Sequence, residues 1–486
     1  MIMENDSACG IGAVKPQRAA LTENLVSQIF GLAALALFFF AVSKHDYRIL
    51  IYAACVLSAV LIIVKPNLIP YFFILSFFTV RVIFSSGFIL NIQIFDAIFL
   101  LLVLSFVTNK RIDIKAALDK QRFLVIAFTV FALWTVVGFT VNFYGHTGLE
   151  NITSLIFVMN FFEMAAVVIL FSQPQWKELR NKIILFYVIC SFCEIVIAIS
   201  LEVLAGVRTF SDFHKFTGTL GGNHAMLGNV MVLSFGVASC AFLELRSKHV
   251  KLFSLCVAIL SISTILLSGT RGAILGMLLG VPTFILLRLC HKRGMRVVVL
   301  PIFAILVIFG FSSIRELIIN AIVGSYNIDS VDLSSYGRLL IWERVYEHAL
   351  HGPWVQKIVG IGVGTFTSLK FNYYLEVGTF TTGAHNNFFH AFVEAGIVGL
   401  IIYLAIFIEI IRKLVIKNWR GDNVAGCFLL CTLILLFSCL TQETFWFNPV
   451  FGRFWLQYLF FYLIIFNFGD GNNGMNSVPR KTGHSL

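Results

Sequence analysis

The sequence predicts an all-α polytopic membrane protein with about fourteen transmembrane helices. Of its 486 residues 58% are hydrophobic and only 13% are charged, and this charged share is about half that of a typical soluble domain. Apolar runs of roughly 17–25 residues, the length that a helix needs to cross a bilayer, recur along nearly the whole chain. The sequence lacks the short segments of alternating polar and apolar residues that are typical of a membrane β-barrel.

Hydropathy places the helices in three parts of the chain. A polar segment, 1–24, precedes an apolar run at about 25–43, which is too long for a signal-peptide core and is predicted to be an uncleaved first span. The next ten spans are predicted, within residues 25–313, at about 49–64, 67–84, 89–107, 123–141, 153–171, 183–204, 223–245, 250–268, 272–290 and 297–313. Three more, within 386–467, are predicted at about 386–411, 424–440 and 451–467. The polar tail 468–486 is predicted to be disordered.

Positive charges predict the orientation of these spans. Lys and Arg are concentrated in alternate loops, at 110–122, 177–182, 246–251, 288–296 and 412–420. The positive-inside rule places those loops and both termini in the cytoplasm. The same bias accounts for the net charge of +11, so no nucleic-acid partner is predicted.

Residues 314–385 form the one long predicted external segment, on the periplasmic side. Helical spacing at 314–323 and 339–350 predicts short helices that lie on the membrane face. The glycine-rich stretch Gly360–Gly364 has no βαβ context and is predicted to be a turn rather than a dinucleotide site. No His/Asp/Glu cluster with metal-ligand spacing occurs in the external segments, so we predict no metal and no other cofactor.

Four ionisable residues fall inside apolar runs, where each would cost about 2.5–3.5 kcal/mol at mid-helix if it faced lipid. They are Arg81, Asp96, Glu163 and Glu194. We expect them to face protein or water. Polar pairing between helices is the favoured interpretation, and a proton path is the alternative.

Three basic residues are predicted to share the external side. Arg271 lies in the tight turn 268–272, Arg338 opens an amphipathic stretch of the long segment, and His385 lies where the next span begins. The planar arginine fork suits phosphate oxygens, so two arginines could hold a pyrophosphate. A histidine can accept a proton from an attacking hydroxyl at neutral pH. The alternatives are a headgroup anchor for Arg271, an ion pair with Glu343 or Asp332 for Arg338, and an interfacial ring for His385.

Polar neighbours extend this pattern. Asn386 and Asn387 could orient the histidine or a ligand, and free N–H groups at a helix start favour an anion. Arg208 and His214 could line the same cavity, or they could be ordinary loop residues.

At these residues the chain resembles the O-antigen ligase/polymerase superfamily of bacterial inner-membrane glycan-assembly proteins. The matching elements occur in family order over roughly residues 205–410. They are the stretch 217–224 with Asn223 and His224, the turn 268–272, the stretch 336–342 with Tyr336 and Trp342, the stretch 360–366, and His385-Asn386 followed by 394–399. Phe388-Phe389 and His224 depart from the usual family pattern, and these departures concern the acceptor site more than the donor site.

The resemblance implies an inverting glycosyltransferase with a GT-C-like fold. Its donor would be a glycan on undecaprenyl pyrophosphate, presented at the periplasmic face of the inner membrane. Arg271 and Arg338 would bind the pyrophosphate, and His385 would act as base on the acceptor hydroxyl or would position it. The predicted catalytic residues are therefore His385, Arg338 and Arg271. The predicted substrate-binding residues are Arg208, His214, Asn223, His224, Tyr336, Trp342, Asn386 and Asn387.

The expected partners are the undecaprenyl-pyrophosphate-linked glycan, membrane lipids, a chain-length regulator and a flippase. Within the superfamily we predict a polymerase of repeat units for O-antigen, capsule or exopolysaccharide, because the number of spans and the length of 486 residues exceed those usual for ligases. A ligase that transfers the glycan to the lipid A core remains the alternative. A lipid-linked sugar flippase or transporter, a relative that transfers glycans to protein, and a purely structural membrane protein also remain open.

Overall fold

A computed structural model describes residues 66–78, 82–85, 91–93, 113–146, 148–204, 224–289, 333–366, 383–442, 444–446 and 454–466. Its described residues fall into two compact units. The first includes 66–76, 82–83 and 92–93, and the second includes everything described from residue 113 onward. The site described below lies in the second unit.

The described elements are mostly helical. In the region before residue 113 they are α1 (Ile69–Phe78), which follows a 3₁₀ turn at Pro66–Leu68, and the strands β1 (Val82–Ser85) and β2 (Asn91–Gln93) of a two-stranded sheet. The helices that follow are α2 (Ile114–Asn142), α3 (Gly148–Phe171), α4 (Trp176–Leu204), α5 (His224–Glu244), α6 (Lys248–Leu267), α7 (Arg271–Leu289), α8 (Leu333–His351), α9 (Trp354–Val359), α10 (Asn387–Trp419), α11 (Asn423–Ser438) and α12 (Phe454–Phe466).

Seven of the described helices, α2 to α7 and α10, are long and apolar enough to cross a membrane. They lie at the predicted positions, and their ends differ from the predicted ones by a few residues for most helices. The chain is therefore a multi-pass helical membrane protein in the part that the structure describes. The predicted spans 25–43, 49–64 and 297–313 lie outside the described residues.

Two predicted spans, 67–84 and 89–107, differ from the structure in part: residues 69–78 are helical as expected, whereas 82–85 and 91–93 are strands. Helix α1 ends at Phe78 after ten residues, and β1 and β2 occupy positions at which the two spans were expected. The sequence of β1, Val-Ile-Phe-Ser, is rich in β-branched and aromatic residues, which favour strands. A Ser-Gly turn signal follows it directly, at residues 86–87. Hydropathy alone did not distinguish this pattern from a helix.

Helices α11 and α12 form the interior of the second unit. Every residue of α12 except Phe466 is buried, as expected for a helix that is apolar on all sides. Its 13 residues span only about 20 Å, less than the roughly 30 Å of a hydrocarbon core. The predicted spans 424–440 and 451–467 thus contain described helices of 16 and 13 residues, and the remainder of 451–467 lies outside the described residues.

A group of basic side chains holds the C-terminal end of α12. Arg180 donates from Nη2 to Glu244 Oε1 at 2.6 Å and from Nε to the carbonyl of Ile464 at 3.1 Å. Lys417 Nζ donates to the carbonyl of Phe466 at 2.8 Å. These cations therefore hydrogen-bond to backbone carbonyls in the last described turn of α12. We call this group the α12 clamp.

Candidate active site

His385 has a left-handed backbone conformation, with φ of 49°, which is uncommon for a residue other than glycine. Both of its neighbours are fixed by hydrogen bonds. The carbonyl of Ala384 accepts from Trp342 Nε1 at 2.9 Å, and Asn386 Oδ1 accepts from the amides of Phe388 and Phe389 at 2.9 and 3.1 Å. Asn386 is therefore the N-cap of α10, and the surroundings determine the conformation of His385. Such outliers are found preferentially at functional sites.

The start of α10 is anchored on residues 439–446, which we call the connector. Asn386 Nδ2 donates to the carbonyl of Leu440 at 3.0 Å, and the amide of Asn387 donates to the carbonyl of Cys439 at 3.0 Å. The side chain of Asn387 is fully buried, and its Nδ2 donates to Tyr403 Oη at 3.1 Å. The structure thus places Asn386 and Asn387 in contacts that hold the helix start.

Arg271 is anchored on the same connector. It is the first residue of α7, follows a turn in which Ser268 Oγ and Thr270 Oγ1 lie 2.7 Å apart, and has an exposed side chain. The next residue, Gly272, lies so close to Gln442 that a Cβ there would overlap the Gln442 side chain. Leu440 and Gln442 are two residues apart, so their Cα atoms lie within about 7 Å of each other. The helix starts that carry Arg271 and His385 therefore contact neighbouring positions of one short segment.

The Arg338 stretch reaches the same region through Trp342. Tyr336 and Arg338 lie in the first turns of α8, and their side chains lie outside the described part of the structure. Trp342 lies one turn after Arg338, about 6 Å further along the helix axis, and it donates to Ala384, the residue before His385. Its ring also contacts Phe389, with a centroid distance of 5.7 Å. The backbone position of Arg338 is thereby tied to the start of α10.

The first turns of α10 contain a buried carboxylate that the sequence analysis did not select. Glu394 is 1% exposed, and its Oε1 accepts from the amide of Phe366 at 2.9 Å and lies 3.1 Å from His390 Nε2. Its Oε2 accepts from Trp446 Nε1 at 2.8 Å. One side chain therefore joins three segments: the turn 360–366, the connector and the first turns of α10. One sequence signal could have identified this carboxylate: a His and a Glu lie four residues apart, and thus on one face, at an otherwise apolar helix start.

The backbone near Glu394 is also used for anchoring. Helix α10 is interrupted at Gly396, with φ of 69° and ψ of −175°. The carbonyls freed before the break accept from other segments: that of Val393 from the amide of Ile361 at 2.9 Å, and that of Glu394 from the amide of Gly362 at 3.1 Å. A Cβ on Gly396 would overlap the backbone at Ile358. The glycine-rich stretch is thus packed against the break in α10.

One histidine near this region has a shifted pKa. Burial lowers the pKa of His348, in α8, and the nearby positive charge of Lys357 lowers it further. Its ring packs against Phe392 at a centroid distance of 6.5 Å. The lowered pKa favours the neutral form of His348, whose ring lies where α8 packs on α10.

The remaining predicted site residues are only partly described. Arg208, His214 and Asn223 lie outside the described residues, and His224 is described only as the first backbone position of α5. Among the described residues, no group of three or more His, Cys, Asp or Glu is arranged to hold a metal ion.

Comparison with known proteins relates part of the chain to a known family. No curated protein matches the chain significantly. A model of the O-antigen ligase family matches residues 256–404, a range that contains Arg271, Arg338, His385 and Glu394 but ends before the connector. This match confirms the resemblance read from the motifs: over residues 256–404 the chain is similar to the O-antigen ligase/polymerase superfamily.

Proposed function

We propose that this protein polymerises oligosaccharide repeat units carried on undecaprenyl pyrophosphate, at the periplasmic face of the bacterial inner membrane. The observation that carries the proposal is the convergence of three motifs on the start of α10. Gly272, the residue after Arg271, packs on the connector, and Asn386, the residue after His385, donates a hydrogen bond to it. Trp342, one turn after Arg338, bonds to the residue before His385. This arrangement is what a site for one pyrophosphate and one acceptor hydroxyl requires.

The proposed reaction is a single displacement with inversion. The acceptor hydroxyl oxygen attacks the anomeric carbon of the donor sugar while the bond from that carbon to the pyrophosphate oxygen breaks. The hydroxyl proton passes to His385, and the electron pair of the broken bond leaves with the lipid pyrophosphate. Arg271 and Arg338 stabilise the negative charge that develops on the leaving group, as cationic groups positioned before reaction do. The leaving group is a stable anion, so the step needs no general acid.

Glu394 is a positioning residue in this proposal. It does not reach the substrate, because it is buried and its two oxygens already accept from Phe366, Trp446 and His390. Its contacts fix the first turns of α10, and hence His385, against the turn 360–366 and the connector. Displacement of a catalytic group by about 1 Å can reduce a rate by about a hundredfold, so this anchoring supports the reaction.

The ligase activity is the second candidate, because the matching family carries that name and its match does not distinguish a ligase from a polymerase. Both activities use the same donor chemistry and differ in the acceptor. A polymerase transfers the growing chain to the next repeat unit, whereas a ligase transfers the finished chain to the lipid A core.

The test compares the glycans of a strain that lacks this gene with those of the complemented strain. We expect the deletion to leave single repeat units on the final carrier, and the wild-type gene to restore a ladder of chain lengths. Full-length chains that accumulate on undecaprenyl pyrophosphate would instead identify a ligase, and an unchanged glycan profile would argue for transport.

Complementation with His385→Ala, Arg271→Ala and Arg338→Ala tests the site. We expect each variant to be inserted in the membrane at wild-type level and to fail to restore the ladder. Matched controls are His351→Ala and Arg344→Ala, both exposed residues of α8, and Arg288→Ala at the far end of α7. Full activity of well-expressed His385→Ala would remove this residue from the mechanism.

A further inference from the structure

Helix α9 presents an exposed apolar face. Trp354, Val355 and Ile358 are 77%, 53% and 44% exposed, and positions i, i+1 and i+4 lie on one side of a helix. Leu350, just before α9, is 50% exposed as well. A cluster of this kind on a six-residue helix is unfavourable in water, so the face marks a surface that something covers.

The position of α9 is fixed at the end of the span α2. The carbonyl of Val359 lies against Gly138, and Asn142 Nδ2 donates to the carbonyl of Gly360 at 3.0 Å. Gly138 and Asn142 lie one turn apart at the C-terminal end of α2. Helix α9 therefore lies at the level where this membrane span ends.

The end of α2 that contacts α9 also carries exposed apolar side chains. Beside the positions that contact α9, the residues Leu133, Val137 and Val141 of α2 are 53%, 42% and 50% exposed. Such a stripe on a span-length helix is the surface that meets acyl chains. The aromatic residues Phe143 and Tyr144 follow at the end of the span, 43% and 96% exposed, as is usual at a membrane–water interface.

A cation lies at the edge of the apolar face. Lys357 Nζ donates to the carbonyl of Leu350 at 2.7 Å and lies 4.8 Å from the centre of the Trp354 ring. A lysine that covers apolar surface with its stem and presents its ammonium group at the rim suits the phosphates of lipid headgroups.

We propose that α9 is an interfacial anchor, with Trp354, Val355 and Ile358 inserted among the headgroups and upper acyl chains of the bilayer that α2 spans. Helices of this kind bury their apolar face about 5–10 Å into the boundary between headgroups and chains. Because α9 continues through Gly360 into the turn that bonds to Glu394, this anchor fixes the height of the α10 start relative to the lipid surface. The proposal does not depend on the reaction proposed above.

The test uses tryptophan quenching by brominated lipids in nanodiscs that hold the full chain. The chain has seven tryptophans, so the Trp354 component is obtained as the difference between wild type and Trp354→Phe. The control is Trp455→Phe, because Trp455 is 2% exposed within an aromatic core. Two sets of lipids are compared, with bromine near the headgroup end and near the bilayer centre of the acyl chain.

We expect the Trp354 component to be quenched at least about twofold more strongly than the Trp455 component by the shallow bromines, since aromatic anchors lie at headgroup level. Acrylamide, a quencher dissolved in the water, should quench Trp354 less in the wild-type protein than in the variant Ile358→Asp, in which the added charge disfavours insertion. A Trp354 component that acrylamide quenches and bromolipids do not would place this face in water and overturn the proposal. Shielding from both quenchers together with a doubled particle mass would identify a second copy of the chain as the occupant, and it would overturn the proposal too.

Discussion

At its two ends, the helical unit is held together by different kinds of contact. Where α5 and α10 end, the α12 clamp satisfies backbone carbonyls of α12 with charged side chains, Arg180 and Lys417. At the opposite end, where α10 begins, the contacts run from backbone to backbone across the break at Gly396 and converge on the buried carboxylate of Glu394. The clamp joins one helix to another. The Glu394 end interrupts a helix, and it holds Asn386, which follows His385 with its positive φ, on the connector that Gly272 also contacts. With the reaction proposed above, this difference predicts that the first end serves stability and the second serves chemistry.

The largest effect is expected from Gly396→Ala. The positive φ is unfavourable for alanine, and its Cβ would overlap backbone atoms that have no room to move. We expect a loss of about 3 kcal/mol or more in the free energy of unfolding and loss of the glycan ladder. Thermal unfolding in detergent, monitored by size-exclusion fluorescence, measures the first, and complementation measures the second. Gly148→Ala is the control, because the start of α3 has open space around that position. Equal melting curves for the two variants would contradict the role of the break.

Arg180→Met tests the clamp. The change removes a cation that is 9% exposed and leaves Glu244 and the Ile464 carbonyl without it. We expect destabilisation of about 3 kcal/mol, as when one partner of a buried pair is removed. The protein that remains folded should keep wild-type turnover. Arg412→Met, at an exposed pair with Glu409, should leave the melting curve nearly unchanged. If folded Arg180→Met protein lost turnover, the α12 clamp and the Glu394 end would not be functionally separate.

Glu394→Gln tests the positioning role. Glutamine keeps the volume but has only one acceptor oxygen, so the donors of Phe366 and Trp446 cannot both be satisfied as in the native protein. We expect a cost of about 1–3 kcal/mol in stability and, at equal amounts of folded protein, a fall in turnover of about tenfold or more with little change in the apparent KM for the donor. The control is Glu347→Gln on exposed α8. If Glu394→Gln lowered the melting temperature without any fall in turnover, Glu394 would be a purely structural residue.

Trp446→Phe should have the smallest effect. It removes the donor to Glu394 Oε2 and keeps an aromatic ring among Phe131, Phe161 and Tyr403. We expect the free energy of unfolding to fall by about 1 kcal/mol. In a double variant with Glu394→Gln the two losses should not add, because the residues share one interaction. Additive losses would mean that Trp446 and Glu394 act independently.

Sequence patterns predicted the clamp end better than the other end. The spans from α2 to α7 followed from hydropathy because the membrane imposes the same length and composition on each helix by itself. The loops with Lys and Arg also contain Arg180 and Lys417, although their partners on α12 could not be read from charge. Strand β1 was missed because a short apolar run such as its Val-Ile-Phe fits a strand and a helix equally well.

The Glu394 end could be predicted only in its outline. The motifs identified Arg271, Arg338 and His385, and the structure ties their backbones together at Ala384 and the connector. The connector itself was not selected, because it is a short polar stretch between two apolar runs. Glu394 was quoted within a motif without a role, since its partners Phe366 and Trp446 are 28 and 52 residues away. Contacts over such separations depend on how helices pack and not on any local pattern.

The break in α10 also isolates one part of the chain from changes in another. In a continuous helix each inserted residue rotates everything on one side of it by about 100° relative to the other side. Because the carbonyls of Val393 and Glu394 are bonded to Ile361 and Gly362, residues 386–395 are held by their own neighbours. An insertion or deletion after Gly396 would therefore turn the rest of α10, including Tyr403 and Lys417, while the backbone bonds of Val393 and Glu394 stay in place. In the proposed reaction centre, the backbone before the break is thus less sensitive to the register of the membrane part of α10 than the contact between Asn387 and Tyr403 is.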